Sequence, residues 1–259
     1  NLDASTKYEY RLLQNDTNSE PEEFTTEDDI QLPNSGFEDW YTDSDGLPKP
    51  AKDASSSFWD CGNVNYFGKH IMTTQNDETA LGQGSSVKME TQETMKIIAA
   101  GNIFTGTFER DGMGGILTLG RNFECRPNKL KGYYKYTSAK VSVSKGHLNE
   151  GEDDLCSLYI ALTDEQITVN TNKGIYFDPN SSAVIAYGSI SDEESKGADS
   201  FKEFTVDLEY KDLKRIPKYI IVVASSSKYG DYMEGGKGST MWLDDLELVY
   251  PKSMEEVRK

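Results

Sequence analysis

The stretch Phe204-Thr205-Val206-Asp207-Leu208-Glu209-Tyr210-Lys211 sets four large apolar side chains against four polar ones in strict alternation. Successive side chains of an extended chain point to opposite faces, so the run reads as a strand with one dry and one wet face. Cys156, Leu158, Ile160 and Leu162 do the same against Leu155, Ser157, Tyr159 and Ala161, with a richer apolar face. Working outward, short runs between clusters of Gly, Ser, Asn and Asp predict further strands over 87–91, 96–99, 116–119, 130–143, 183–189, 219–224 and 241–250. No segment keeps a 3.6-residue period for a dozen residues, and only 253–259 is compatible with a helix. The pattern predicts an all-β chain: a two-sheet antiparallel β-sandwich of jelly-roll type.

The 259 residues carry 27 basic and 44 acidic side chains, a net charge of −17. A surface this negative repels phosphate backbones and anionic lipid, so neither nucleic acid nor a bare membrane is an expected partner, while neutral ligands remain open. No run approaches the ~20 apolar residues of a membrane-spanning helix. The three cysteines, Cys61, Cys125 and Cys156, contain no CxxC pair and leave their pairing open. With only His70 and His147, a histidine-built zinc site is not expected.

The first thirty residues are crowded with acid, from Asp16 to Asp29, and are expected to form a solvated linker or the remnant of a preceding module. Tyr8, Tyr10 and Leu12 nevertheless alternate well enough for an edge strand. The domain proper is expected over 31–252, with 253–259 as a tail.

Leu32-Pro33-Asn34-Ser35-Gly36-Phe37-Glu38-Asp39-Trp40 opens that domain and Met241-Trp242-Leu243-Asp244-Asp245-Leu246-Glu247-Leu248 nearly closes it. Trp242, Leu246, Leu248 and Tyr250 share a parity with Asp244, which aims Asp244 at the core unless a bulge intervenes. A buried carboxylate needs a proton, a cation or backbone donors. If the chain ends meet, Asn34, Glu38 and Asp244 are candidates for an oxygen cage holding a structural Ca²⁺; the alternative is that Asp244 and Asp245 cap turns.

Sugars are bound by flat aromatic faces with polar tips beside them. Lys228, Tyr229, Asp231 and Tyr232, in a loop rich in Ser and Gly, offer that combination, and Trp59 and Asp60 form a second group; these six are the candidate ligand-binding residues. Tyr133, Tyr134 and Tyr136 with Lys131 and Lys135 read as strand packing instead of a base-stacking platform, and Asp111-Gly112-Met113-Gly114-Gly115 as a hairpin turn. Asp60, Glu109, Asp111, Asp231 and Glu234 are the carboxyls best placed for a two-carboxylate glycoside hydrolase, the alternative function.

Asn34-Ser35-Gly36-Phe37-Glu38-Asp39-Trp40 with the closing Asp244-Asp245 resembles the ends of jelly-roll carbohydrate-binding modules. Adding Phe58-Trp59-Asp60-Cys61-Gly62-Asn63, Leu130 to Tyr136, Ala224-Ser225-Ser226-Ser227-Lys228-Tyr229-Gly230-Asp231-Tyr232 and Gly238-Ser239-Thr240-Met241-Trp242-Leu243-Asp244-Asp245, the chain resembles the PCMD family, the putative carbohydrate metabolism domain. The resemblance implies a galactose-binding-like or carbohydrate-binding-module-like jelly roll in exported Bacteroidetes lipoproteins, held at the cell envelope or outer-membrane surface by a lipid anchor outside this chain. It implies a carbohydrate partner and assigns no catalytic residue. The leading expectation is a non-catalytic glycan-binding module, with hydrolysis or an adhesive envelope role as alternatives.

Overall fold

The computed structural model describes residues 5–14 and 17–250. The sandwich strands are β1 (Trp59–Asp60), β2 (Thr73–Asn76), β3 (Ser86–Glu90), β4 (Asn102–Asp111), β5 (Gly114–Leu119), β6 (Arg121–Asn122) and β7 (Lys129–Thr137). They continue with β8 (Ser157–Thr163), β9 (Ile167–Asn170), β10 (Val184–Ser189), β11 (Ala198–Asp207), β12 (Glu209–Tyr210), β13 (Tyr219–Ser225) and β14 (Thr240–Val249). A five-stranded antiparallel sheet has the order β2-β3-β14-β7-β11. A nine-stranded sheet runs β9-β5-β4-β13-β8-β10-β12, with β1 also on β4 and β6 also on β13. The all-β sandwich read from the sequence is thus what forms.

Between the sheets lies the main core, which includes Leu130, Tyr134, Tyr136, Leu158, Ile160, Leu162, Phe204, Val206 and Val222. The two deciding runs behave as their alternation demands: Cys156, Leu158, Ile160 and Leu162 are buried, as are Phe204, Val206 and Leu208. The Phe204–Tyr210 run also changes sheets, pairing with β7 up to Asp207 and with β10 from Glu209 onward. Gly188 makes room for that crossing, because a Cβ there would sit 2.1 Å from the Asp207 carbonyl oxygen. The ten-residue β4 is missing from the sequence reading. Its alternation is interrupted by Gly106, at φ +154°, where a Cβ would lie 2.3 Å from Thr118 O.

Several expectations need correction. Strand β7 stops at Thr137 and does not reach 143; beyond it only isolated bridges form, at Lys140 and Val143. The acidic N-terminal stretch forms a paired ribbon, with a strand through Tyr8 and Tyr10: Lys7–Tyr10 pairs with Glu22–Thr25 and Leu13–Gln14 with Thr17–Asn18. Tyr8 stacks on Phe24, and Arg126 pairs with Glu27 where the ribbon meets the sandwich. The ribbon joins neither sandwich sheet. The predicted tail at 253–259 lies outside the described residues. Cys61, Cys125 and Cys156 are all buried and free.

The chain ends do meet along β14. Leu246 N–H donates to Ser35 O, Gln31 bonds Leu248 through both its amide atoms, and Trp59 Nε1 donates to Pro33 O at 2.8 Å. The bulge that the sequence left open falls at Asp244-Asp245, where the register against β7 slips and Asp245 takes φ +46°. Met241 and Leu243 therefore face the core before the bulge, and Leu246 and Leu248 after it. Trp242 lies on the outer face, with Lys135 Nζ 4.5 Å and Lys88 Nζ 5.7 Å from its ring centre. Asp244 shares that outward parity and is buried all the same, accepting the Ala80 N–H at 2.9 Å.

Candidate functional site

A sheet packed on one side would ordinarily wet its other face. The free face of the nine-stranded sheet instead carries a second buried cluster, Phe104, Leu117, Leu119, Ala161, Val169 and Ile221, with Phe108, Tyr159, Phe177 and Tyr187 partly buried against it. A groove of about 430 Å³ opens over this face, bordered by Tyr66, Phe67, Met95, Phe108, Met113 and Met233. A smaller chamber of about 40 Å³ adjoins it, reaching Phe104, Tyr159 and Lys228. Asn102, Leu117 and Asp231 line both, so they stand where groove and chamber meet.

Asp231 is held there by a tightly anchored turn. The chain leaves β13 through Ser226 and Ser227, both buried, and enters a single 3-10 turn at Gly230–Tyr232. Thr91 Oγ1 lies 2.7 Å from both serine hydroxyls. Below them Asp154, fully buried, accepts from Ser227 Oγ at 2.6 Å, Ser239 Oγ at 2.8 Å, Gly236 N–H at 2.8 Å and Leu155 N–H at 2.8 Å. Gly230 packs so closely that a Cβ would fall 2.4 Å from the Ala100 Cβ. These contacts bind the loops around 138–154, 225–232 and 235–240 into one unit.

The Asp231 carboxyl itself has no hydrogen-bond or ion-pair partner among the described residues. Burial against the apolar face pushes its pKa up to about 6. The neighbouring Tyr159 hydroxyl is raised well above its ordinary value, first by burial and then by the Asp231 charge.

Beside the groove runs a band of half-buried aromatic rings joined through the exposed His147. Tyr229 stacks on His147 (4.3 Å, 16°), His147 lies 4.3 Å from Tyr232, and Tyr232 stacks on Tyr176 at 3.9 Å. The next residue, Phe177, stacks on Tyr159 at 4.9 Å and reaches Tyr187 at 6.2 Å. His147 is fixed by the fully buried Glu234, whose carboxylate also accepts the backbone N–H groups of Lys145, His147 and Leu148. Burial alone would raise Glu234, but the Leu148 N–H and the His147 ring outweigh it and hold the carboxyl below its usual range. An ionised Glu234 only accepts, which puts the imidazole hydrogen on Nδ1.

The structure therefore divides the six expected ligand residues. Lys228, Tyr229, Asp231 and Tyr232 lie together at the groove and ring band, with Lys228 also 3.2 Å from Asp192. Trp59 does not join them: it is wholly buried in the main core, edge-on to Phe37 at 5.4 Å, and has no face to offer. Asp60 is engaged in holding β1 and β4, through Lys49 at 2.7 Å and the N–H groups of Phe108 and Cys61. Asn34 is likewise committed, donating to Asp39 O and Pro50 O and accepting from Asp39 N–H, so it is not available as a metal ligand. Glu38 accepts from Ser85 N–H and lies near Asp245 beside Gly36, and its charge is felt by Asp244. Among the described residues no three His, Cys, Asp or Glu side chains gather as a metal cage.

Of the carboxyls considered for hydrolysis, Asp231 alone lines the groove or its chamber; Glu234 and Asp60 are tied into the scaffold, and Glu109 and Asp111 lie outside both. Sequence reading missed Asp154, His147, Tyr176 and Phe177. For Asp154 the sequence gives little local signal, since three of its four donors, from Ser227, Gly236 and Ser239, lie more than seventy residues away.

The family described as Putative carbohydrate metabolism domain matches residues 28–249, and the chain belongs to it. No curated protein sequence matches the chain. Among solved structures, the chain resembles one titled a putative glycoside hydrolase from Bacteroides thetaiotaomicron, with a TM-score of 0.66 and 23% identity over 96% of this chain and 80% of that one. A second, titled a putative glycoside hydrolase from Bacteroides vulgatus, gives a TM-score of 0.64 and 22% identity over 83% of this chain and 96% of that one. These two likenesses establish a shared fold.

Proposed function

We propose that this member of the putative carbohydrate metabolism domain family is a non-catalytic glycan-binding module that seats neutral sugar in the groove over the free face of its larger sheet. The observation that carries the reading is a single unpaired carboxyl, Asp231, set among aromatic walls in a groove of ligand size. Sugar hydroxyls donate to that carboxylate and supply the partners it lacks, while a neighbouring ring takes the C–H face of the pyranose. Glycoside hydrolysis by the usual route needs two carboxyls across the scissile bond. Here, among the described residues, the groove and its chamber contain one.

Hydroxyl donors favour the ionised carboxyl, so ligand lowers the Asp231 pKa and affinity rises as pH climbs through about 6. The test is a glycan array followed by calorimetry from pH 5 to 7.5. Binding that strengthens across this range and is lost in Asp231→Ala, with no reducing sugar released from the bound glycans, is the expected result. Release of reducing sugar that Asp231→Ala abolishes would replace this reading with hydrolysis. The export and surface anchorage implied by the sequence resemblance would place the glycan outside the cell.

A further inference from the structure

The groove is uneven along its length. Its inner end carries a carboxyl and an amide, Asp231 and Asn102, at the opening of the small chamber, and His70, Gln92, Arg110 and Thr171 also line the groove. Its outer end is bordered by Phe67, Met95 and Met113, which are 93%, 83% and 54% exposed. Folding ordinarily leaves isolated apolar side chains at the surface, but three large ones converging on a single concavity mark a place meant to be covered. Tyr66 tilts against Phe67 at 4.3 Å, and the Arg110 guanidinium lies 4.1 Å over the Tyr66 ring. Phe67 is itself at φ +52°, in the left-handed region that an aromatic residue seldom adopts. The backbone is thus strained in the conformation that presents this ring.

Resting on the glycan reading above, we propose that the groove takes a sugar bearing an apolar acyl or aryl substituent, with the sugar at Asp231 and Asn102 and the substituent under Phe67, Met95 and Met113. A bare oligosaccharide would set hydroxyls against this mouth, whereas burial of an aromatic substituent there removes apolar surface from water on both partners. The volume of about 430 Å³ suits one or two sugar rings with such a group and is too small for a folded partner.

The experiment compares matched methyl and 4-nitrophenyl β-glycosides of glucose, galactose, xylose and arabinose by calorimetry, with free 4-nitrophenol as a third arm. At least one aryl glycoside should bind about tenfold more tightly than its methyl counterpart. The Phe67→Ser/Met95→Ser double variant should reduce that preference to within about twofold. Both side chains are mostly exposed, so the variant should keep the wild-type melting temperature.

Equal affinity for methyl and aryl partners, or a preference that survives the double variant, overturns the inference and leaves glycan binding intact. Nitrophenol binding as tightly as the aryl glycoside overturns the carbohydrate reading itself, and with it this one. Silence in every arm overturns both. Concentration-dependent self-association in sedimentation runs that disappears in the double variant would assign the mouth to a second copy of the chain, which also overturns the inference.

Discussion

Asp154 and Asp231 stand a few residues apart in space, either side of the Ser226-Ser227 link, and burial raises the pKa of both. Asp154 answers its burial with two hydroxyl and two backbone donors; Asp231 has none among the described residues. A carboxyl surrounded by donors from three loops is a fastener, because removing it strands all of them at once. A carboxyl left without donors in an apolar groove is a cost to folding that nothing inside the protein offsets, and its partner must come from outside. The difference separates scaffold from site more sharply than residue type or burial does.

The largest effect should come from breaking the fastener. Asp154→Leu should cost about 3 to 5 kcal/mol of unfolding free energy, since it leaves buried donors of Ser239 and Gly236 without an acceptor and removes one partner of Ser227. Urea titration followed by tryptophan fluorescence measures it. A loss below about 1 kcal/mol would mean that water enters and replaces the carboxylate, and the contrast with Asp231 would collapse.

Asp231→Asn should do the reverse. The folded pKa of about 6 lies above the ordinary 3.8, so the wild-type carboxyl favours folding fully only below the lower value. That contribution is lost as pH rises through about 6. The variant should therefore match wild type at pH 3.5 and exceed it by about 1 to 3 kcal/mol at pH 8. Its glycan affinity should fall at pH 8, where the wild-type carboxylate is the better acceptor. A variant that is less stable than wild type at pH 8 would show that Asp231 is a structural residue after all.

This contrast also marks how far the sequence could be read. Strands with uninterrupted alternation, such as 204–210 and 156–162, were legible because burial of one face is a local pattern. Strand β4 was not, because Gly106 admits a close approach of Thr118 that only the paired strand explains. The turn with Tyr229, Asp231 and Tyr232 was legible as a polar aromatic loop, but not that its serines are buried ties to Thr91 and Asp154. Trp59 was misjudged for the same reason: an aromatic beside an acid looks alike whether its ring faces a sugar or Phe37. Orientation depends on Pro33, a partner 26 residues distant.

Asp244 lies between the two extremes and should give the smallest shift. Burial raises its pKa to about 6, the Ala80 N–H opposes that rise, and the charges of Asp245 and then Glu38 add to it. Backbone donors from Ala80 and Asp245 are already present, so Asp244→Asn should stabilise the protein at pH 8 by about 1 kcal/mol, less than Asp231→Asn, and by nothing at pH 3.5. Part of its penalty is repulsion from the partly exposed Asp245 and the exposed Glu38, which salt screens. Raising NaCl from 0.05 to about 0.5 M should therefore shrink the gain from Asp244→Asn and leave that from Asp231→Asn, whose penalty is burial alone, nearly unchanged. Identical salt responses in the two variants would show that one mechanism governs both carboxyls. A rise in wild-type melting temperature with millimolar Ca²⁺, absent from Asp244→Asn, would instead mean that a cation relieves this cluster, with Glu38 and Asp244 among its ligands and Asn34 outside it.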